Sequence, residues 1–240
     1  MFFPFLPLLL TAFHSNEIWT HNNAQTLDPQ QTLDDTGTEF TGVGSATITD
    51  DGRLVLAGDA PRYRILEPKF DNVSITLDAR RVSEEEELSY QGFVIGARSQ
   101  HYDNSVCGAN TYYASVTYDG RARFEKELFH GEGANAYYPA EGDQPQIFED
   151  GVPKNIWIKL NFTIVTDEDN NARLSLSVDN KQVLEYTDSG DWPVDAPPDI
   201  DDECDGYYPD NKIIQAPGFT FIRNDGLGRA EYRNLNIVEK

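Results

Sequence analysis

The sequence predicts an all-β protein, one antiparallel β-sandwich of jelly-roll type, on three observations. Apolar and polar residues alternate with a period of two through most of the chain. Helical periodicity is nearly absent, and the alternating runs are short and bounded by polar turns. No linker or internal repeat interrupts them, so a single large sandwich accounts for the whole run.

The elements follow in order. Strands are expected at 45–49 and 53–58. "NVSITLDAR" (72–80) places Val73, Ile75 and Leu77 on one face, with Ser74, Thr76 and Asp78 on the other. Three consecutive strands follow at 92–100, 110–118 and 121–130, the last two joined by "YDG" as hairpin partners. "NIWIKLNFTIV" (155–165) directs Ile156, Ile158, Leu160, Phe162 and Ile164 inward and Trp157 outward. "ARLSLSVDNKQVLEYT" (172–187) reads as two strands joined across Asp179-Asn180, and further strands are expected at 218–223 and 230–238. The first forty residues lack a clear pattern. Residues 1–24 are read as a signal or lead-in segment and 25–240 as the single domain; "MFFPFLPLLLTAFHS" has an apolar run too short to span a bilayer, and the first Lys or Arg is Arg53. Secretion is the expected localisation.

Composition narrows the function. The 240 residues carry 41 acidic against 19 basic side chains, a formal net charge of −22. A field of that sign repels nucleic acid and anionic membranes, so neither is expected as a partner, and an anionic ligand would need a local patch of the scarce Lys and Arg. With 12 Tyr and 13 Phe the chain has ample aromatic surface for a core and for stacking against sugars. Cys107 and Cys204 stand outside any metal-binding spacing and are expected to form one disulfide. "DEDNN" (167–171) and "DDECDG" (201–206) hold oxygen ligands of the kind calcium takes, but without the loop pattern; solvated acidic turns are the expectation, with no metal site. A monomer is expected.

Candidate chemistry gathers on the three central strands. Arg98 and Gln100, Tyr112 and Tyr113, and the stretch "FEKELFH" (124–130) bring cations, an amide, phenols and a histidine together. If the strands are neighbours, Arg98, Gln100, Tyr113, Lys126 and His130 meet on one polar face. Such a set suits β-elimination at a uronic acid, in which the C5 proton is removed beside a carboxylate. Arg98, Gln100 and Lys126 would neutralise the charge that develops on that carboxylate. His130 or His101 would be the base and Tyr113 or Tyr112 the acid. This chemistry requires no cofactor. A second reading is a non-catalytic lectin-like module. A third is a glycoside hydrolase using Glu125 and Glu127, which at i and i+2 share a strand face.

"GDAPRYRI", "NVSITLDARR", "GFVIGARSQHYD", "FEKELFH", "NIWIKLNFTIV" and "FIRNDGLGRAEYRNLNIVEK", in this order over residues 45–240, resemble secreted microbial jelly-roll proteins of the concanavalin-like group. In layout these are similar to polysaccharide lyases of the alginate-lyase and glucuronan-lyase type. The resemblance implies a sugar-binding sheet face, an acidic polysaccharide as partner and lyase activity. Gln100-His101 and "FEKELFH" echo the family's site strands without reproducing their motifs.

Overall fold

The computed structural model describes residues 16–17, 25–27, 32–33, 38–41, 44–58, 61–82, 91–100, 107–129, 135–140, 142–192, 213–226 and 228–240; at 16–41, 107–109, 128–129 and 135–136 the backbone alone is described. Every regular element among these residues is a strand. In chain order they are β1 (Asn16–Glu17), β2 (Gln25–Leu27), β3 (Thr32–Leu33), β4 (Thr38–Thr41), β5 (Ser45–Ile48), β6 (Leu54–Ala57), β7 (Arg62–Phe70), β8 (Val73–Arg81), β9 (Gly92–Ser99) and β10 (Cys107–Thr117). The remainder are β11 (Ala122–Phe129), β12 (Asn135–Tyr138), β13 (Ile158–Thr166), β14 (Ala172–Val178), β15 (Lys181–Asp188), β16 (Gly218–Asp225) and β17 (Arg229–Glu239).

They form two antiparallel sheets. The first runs β15-β14-β13-β8-β17-β6-β5-β2, with β1 also on β17; the second runs β12-β11-β10-β9-β16-β7-β4-β3. About half of the neighbouring strands are not consecutive in sequence, among them β13-β8, β8-β17, β17-β6, β9-β16 and β16-β7, as the crossing connections of a jelly roll require. The expected strands are all present, with boundaries displaced by one to three residues. Two were missed: β7, whose "RYRI" alternates but was read only as part of a motif, and the short edge strand β12. Strands β1 to β4 lie in the stretch that showed no pattern.

The core lies between the sheets and follows from the period-two pattern. Val73, Ile75 and Leu77 meet Ile158, Leu160, Phe162, Leu174 and Leu176 from the first sheet. Tyr63, Phe93, Ile95, Ala114 and Phe124 come from the second. Each fully buried Leu, Ile or Phe contributes about 1.5–3 kcal/mol by leaving water. Ile156 was expected inward, but β13 begins only at Ile158, and Ile156 is 55% exposed. The β14–β15 turn is at Asp179-Asn180, as expected. Both have positive φ (49° and 64°), a conformation that Asp and Asn tolerate and a tight hairpin turn demands.

Candidate functional site

Registry decides which side chains share a face. In an antiparallel pair, directly opposed residues point the same way. Tyr112 opposes Lys126, and Tyr113 opposes Glu125. The even-numbered partners point into the core with Phe124 and Ala114. The odd-numbered partners point to the outer side of the second sheet, away from the first.

Lys126 is therefore not on the outer polar face, which corrects the expectation. It lies on the interior parity set by Ala122 and Phe124, and its Nζ is 2.7 Å from Asp188 with both side chains fully buried. Asp188 also accepts a 2.5 Å hydrogen bond from the Tyr112 hydroxyl and a 2.9 Å bond from the Gly190 amide. The Tyr112 oxygen in turn accepts the amide of Ile214 at 3.1 Å. Trp192 caps the network, its ring centroid 5.9 Å from Lys126 Nζ. Burial, aided by the Asp188 charge, pushes the Tyr112 hydroxyl far above its ordinary range. Burial lowers the Lys126 pKa, against the pull of Asp188. Tyr112 and Lys126 are thus structural.

Arg98 is also displaced from the expected face. β9 carries a bulge there: Phe219 pairs with Ser99 and Phe221 with Gly96, so one residue of β9 is extra. Arg98 takes φ 52° and turns off the face. Its guanidinium, 0% exposed, donates to the carbonyls of Asp71 (2.5 Å) and Ile214 (2.8 Å), to Asn72 Oδ1 and to Thr166 Oγ1. It also pairs with Asp71 at 3.2 Å. Burial lowers its pKa, with Asp71 opposing. Gln100 follows the bulge, and its amide donates to the carbonyls of Ala216 and Pro217 at 3.2 and 3.0 Å. Both residues fasten chain segments together. Arg98→Ala removes the donor to the carbonyls of Asp71 and Ile214, and is expected to cost more than about 2 kcal/mol of stability in denaturant titration.

His101, His130 and Cys204 lie outside the described residues, as does the side chain of Cys107; the histidine base and the disulfide therefore fall there too. The "DDECDG" turn lies outside as well. In "DEDNN", Asp167 accepts the amides of Asp169 and Asn171 and closes a turn. The Asn171 bond is the main cause of its lowered pKa.

What occupies the outer face is a set only partly foreseen. Two registered files cross the sheet. One runs Arg64 (β7), Phe221 (β16), Gly96 (β9), Tyr113 (β10), Glu125 (β11), Tyr137 (β12). Beside it run Arg62, Arg223, Val94, Ser115 and Arg123. The floor is apolar: Val94, Tyr113, Phe219 and Phe221 pack as a second, smaller cluster with Leu66 at its border. Gly96 is needed there, because a Cβ would stand 2.1 Å from the Phe221 ring that lies over it. That ring meets Tyr113 edge to face at 5.3 Å.

Guanidiniums lie over aromatic rings of this face. Arg62 is 4.7 Å from the Phe221 centroid, Arg64 5.5 Å from Phe219, and Arg123 4.5 Å from Tyr137. The Tyr113 hydroxyl donates to Glu127 Oε2. Glu125 is 9% exposed. Burial raises its pKa; Arg123, Arg223 and Arg62 oppose the rise and Asp225 adds to it. Arg62 is brought down to about 10 by burial and by its like-charged neighbour Arg223, and remains a cation at neutral pH. Ser115, 2% exposed, has a hydroxyl with no hydrogen-bond partner among the described residues.

Of the expected site residues, Tyr113, Glu125 and Glu127 are brought together on this face. Arg62, Arg64, Arg123, Arg223, Ser115 and Tyr137 were missed as site residues. The alternation in "RYRI", which sets Arg62 and Arg64 opposite to Tyr63 and Ile65, was a signal that could have found the first two. Among the described residues no cluster of His, Cys, Asp or Glu is arranged to hold a metal ion.

No protein-family model and no curated protein matches this chain. Solved structures do match in shape. The metal-free carbohydrate recognition domain of Emp46p aligns with TM-score 0.55 and 12% identity, over 93% of this chain and 95% of its own. A Bacillus subtilis protein of unknown function with a galectin-like fold aligns at 0.53 and 13%, over 90% and 96%. The Bacillus licheniformis β-glucanase aligns at 0.50 and 10%, over 93% and 96%. At such identities the likeness is one of fold, and the fold is the antiparallel jelly-roll sandwich of the concanavalin-like type.

Proposed function

We propose that the protein acts on an acidic polysaccharide at the outer face of the second sheet, cleaving it by β-elimination. The observation that carries this reading is the Tyr113–Glu127 pair, set in an apolar floor and surrounded by Arg62, Arg64, Arg123 and Arg223. In a chain of net charge −22 this is a local concentration of the scarce cations. It suits an anionic sugar chain, and the carbohydrate recognition domain and glucanase of the same fold are consistent with a carbohydrate ligand.

The residues divide the work as follows. The guanidiniums hold the uronate carboxylate and oppose the charge that builds there as C5 loses its proton. That proton passes to the Tyr113 oxygen while the Tyr113 proton passes to Glu127, so no free phenolate is required. The electron pair left at C5 forms the C4–C5 double bond and the C4–O bond breaks. Glu125, whose pKa burial raises, gives its proton to the departing oxygen. The elimination thus balances with no oxidant, metal or water.

One observation favours a second reading. A carboxylic acid with a raised pKa beside a second carboxylate on the same strand is also the arrangement of a glycoside hydrolase, with Glu125 as acid and Glu127 as its partner. Incubation with glucuronan, alginate and a neutral glucan separates the two. Elimination yields fragments whose unsaturated ends absorb in the ultraviolet, and that is the expected result on an acidic polymer. Fragments without this absorbance would transfer the site to hydrolysis, and retention without fragments would leave a binding module.

A further inference from the structure

The first sheet also concentrates cations, on its own outer face and away from the site above. Glu231, 3% exposed on β17, accepts hydrogen bonds from Arg53 at 2.8 Å, from Arg229 at 3.1 Å and from Arg80. One residue pair along β17, Arg233 donates to Asp78 at 3.2 Å, and Lys159 faces the same Asp78 across β13. Trp157 lies between these groups, its ring 4.5 Å from the Arg80 guanidinium and 4.1 Å from that of Arg233.

Among the described residues the carboxylates here do not saturate the cations. Each guanidinium has five N–H donors, and the three on Glu231 spend few of them on it. Arg80 Nε is buried with no acceptor among the described residues. Arg229 and Arg233 are about half exposed, at 52% and 42% of their side chains. Stacking on Trp157 and pairing with carboxylates hold Arg80 and Arg233 in place, so a further anion would bind without paying to order them. The cations sit on four adjacent strands, β6, β17, β8 and β13, or lead into them. At ~4.8 Å per strand that is a track of roughly 14 Å, longer than a single small anion uses.

From this geometry we infer a second polyanion-binding surface, centred on Arg80, Arg229, Arg233 and Trp157, which takes another segment of the acidic polysaccharide proposed above as substrate. A polysaccharide fits better than a nucleic acid. The Trp157 ring is already engaged by two guanidiniums and offers no platform for a base. The general field of the protein opposes a dense phosphate chain. The surface tethers the protein to the polymer while the opposite face acts on it. This inference rests on the acidic-polysaccharide reading but not on the chemistry at Tyr113.

Affinity electrophoresis in gels containing glucuronan or alginate tests it, with the wild type, the Arg229→Ser/Arg233→Ser double variant, and Arg173→Ser as a control elsewhere on the same sheet. Thermal unfolding of each verifies the fold. The wild type is expected to be retarded. The double variant is expected to lose about tenfold in apparent affinity with a shallower salt dependence, while Arg173→Ser migrates as the wild type and turnover of short oligosaccharides is unchanged. Retardation of the double variant equal to the wild type would overturn the second surface and leave the substrate reading standing. A wild type indifferent to every acidic polysaccharide would sink both. Retardation by a single-stranded homopolynucleotide but not by polysaccharide would also overturn the inference.

Discussion

Replacing Lys126 by methionine is expected to cost about 3–5 kcal/mol of folding stability, the range for breaking a buried ion pair. The size of the effect comes from what remains. Asp188 is fully buried, and without Lys126 it keeps, among the described residues, the Tyr112 hydroxyl and the Gly190 amide. The paired change Lys126→Met/Asp188→Asn is expected to recover most of the loss. The amide oxygen takes the place of Oδ1 and still accepts from Gly190, the amide nitrogen takes the place of Oδ2 and donates to the Tyr112 oxygen, and no uncompensated charge is left between the sheets. Urea titrations of the single and double variants measure this as a shift of midpoint at constant slope. A single variant as stable as the wild type would contradict the account of this network. Because Asp188, Tyr112 and Ile214 belong to it, the same pair orders the chain around Trp192 and Ile214.

Tyr113→Phe is expected to lower turnover of an acidic polysaccharide by about 10²–10⁴-fold with little change in binding. The phenyl ring keeps the edge-to-face packing on Phe221, so the floor survives and only the proton path to Glu127 is lost. Glu125 adds a pH signature. Its proton serves the leaving oxygen, so turnover falls as pH rises through its pKa, which burial sets above the ordinary carboxylate range. Glu125→Gln should lose turnover and, in what activity remains, this falling limb. Stability moves in a linked way. A group whose folded pKa is raised contributes stability that is complete below its unfolded pKa and lost as pH rises through the folded value. Above that value the wild type carries a buried, costly carboxylate, and Glu125→Gln is expected to unfold at higher denaturant than the wild type. Equal midpoints at all pH values, or full turnover by Tyr113→Phe, would remove these two residues from the mechanism.

The sequence by itself determined the architecture. Period-two alternation sets the inner face of each strand, since burying that face is the main favourable energy of the sandwich. Asp179-Asn180 set a turn because the φ values a tight hairpin needs are ones Asp and Asn accept. Alternation even contained the true place of Lys126, on the parity of Phe124, but a lysine in a core requires a partner, and Asp188 lies 62 residues away. Only the tertiary structure could bring that partner in. It also decided Arg98, where one extra residue in β9 reversed the parity that spacing alone predicts. The outer face of the second sheet needed the strand order most of all. Arg62 and Arg64, Arg223, Tyr113, and Glu125 with Arg123 come from four strands, β7, β16, β10 and β11, scattered over the chain. Their adjacency is a property of sheet order and register, set by the sum of core contacts between distant strands. Local patterning reports which way a side chain points, and the packing of the whole chain determines what it meets there.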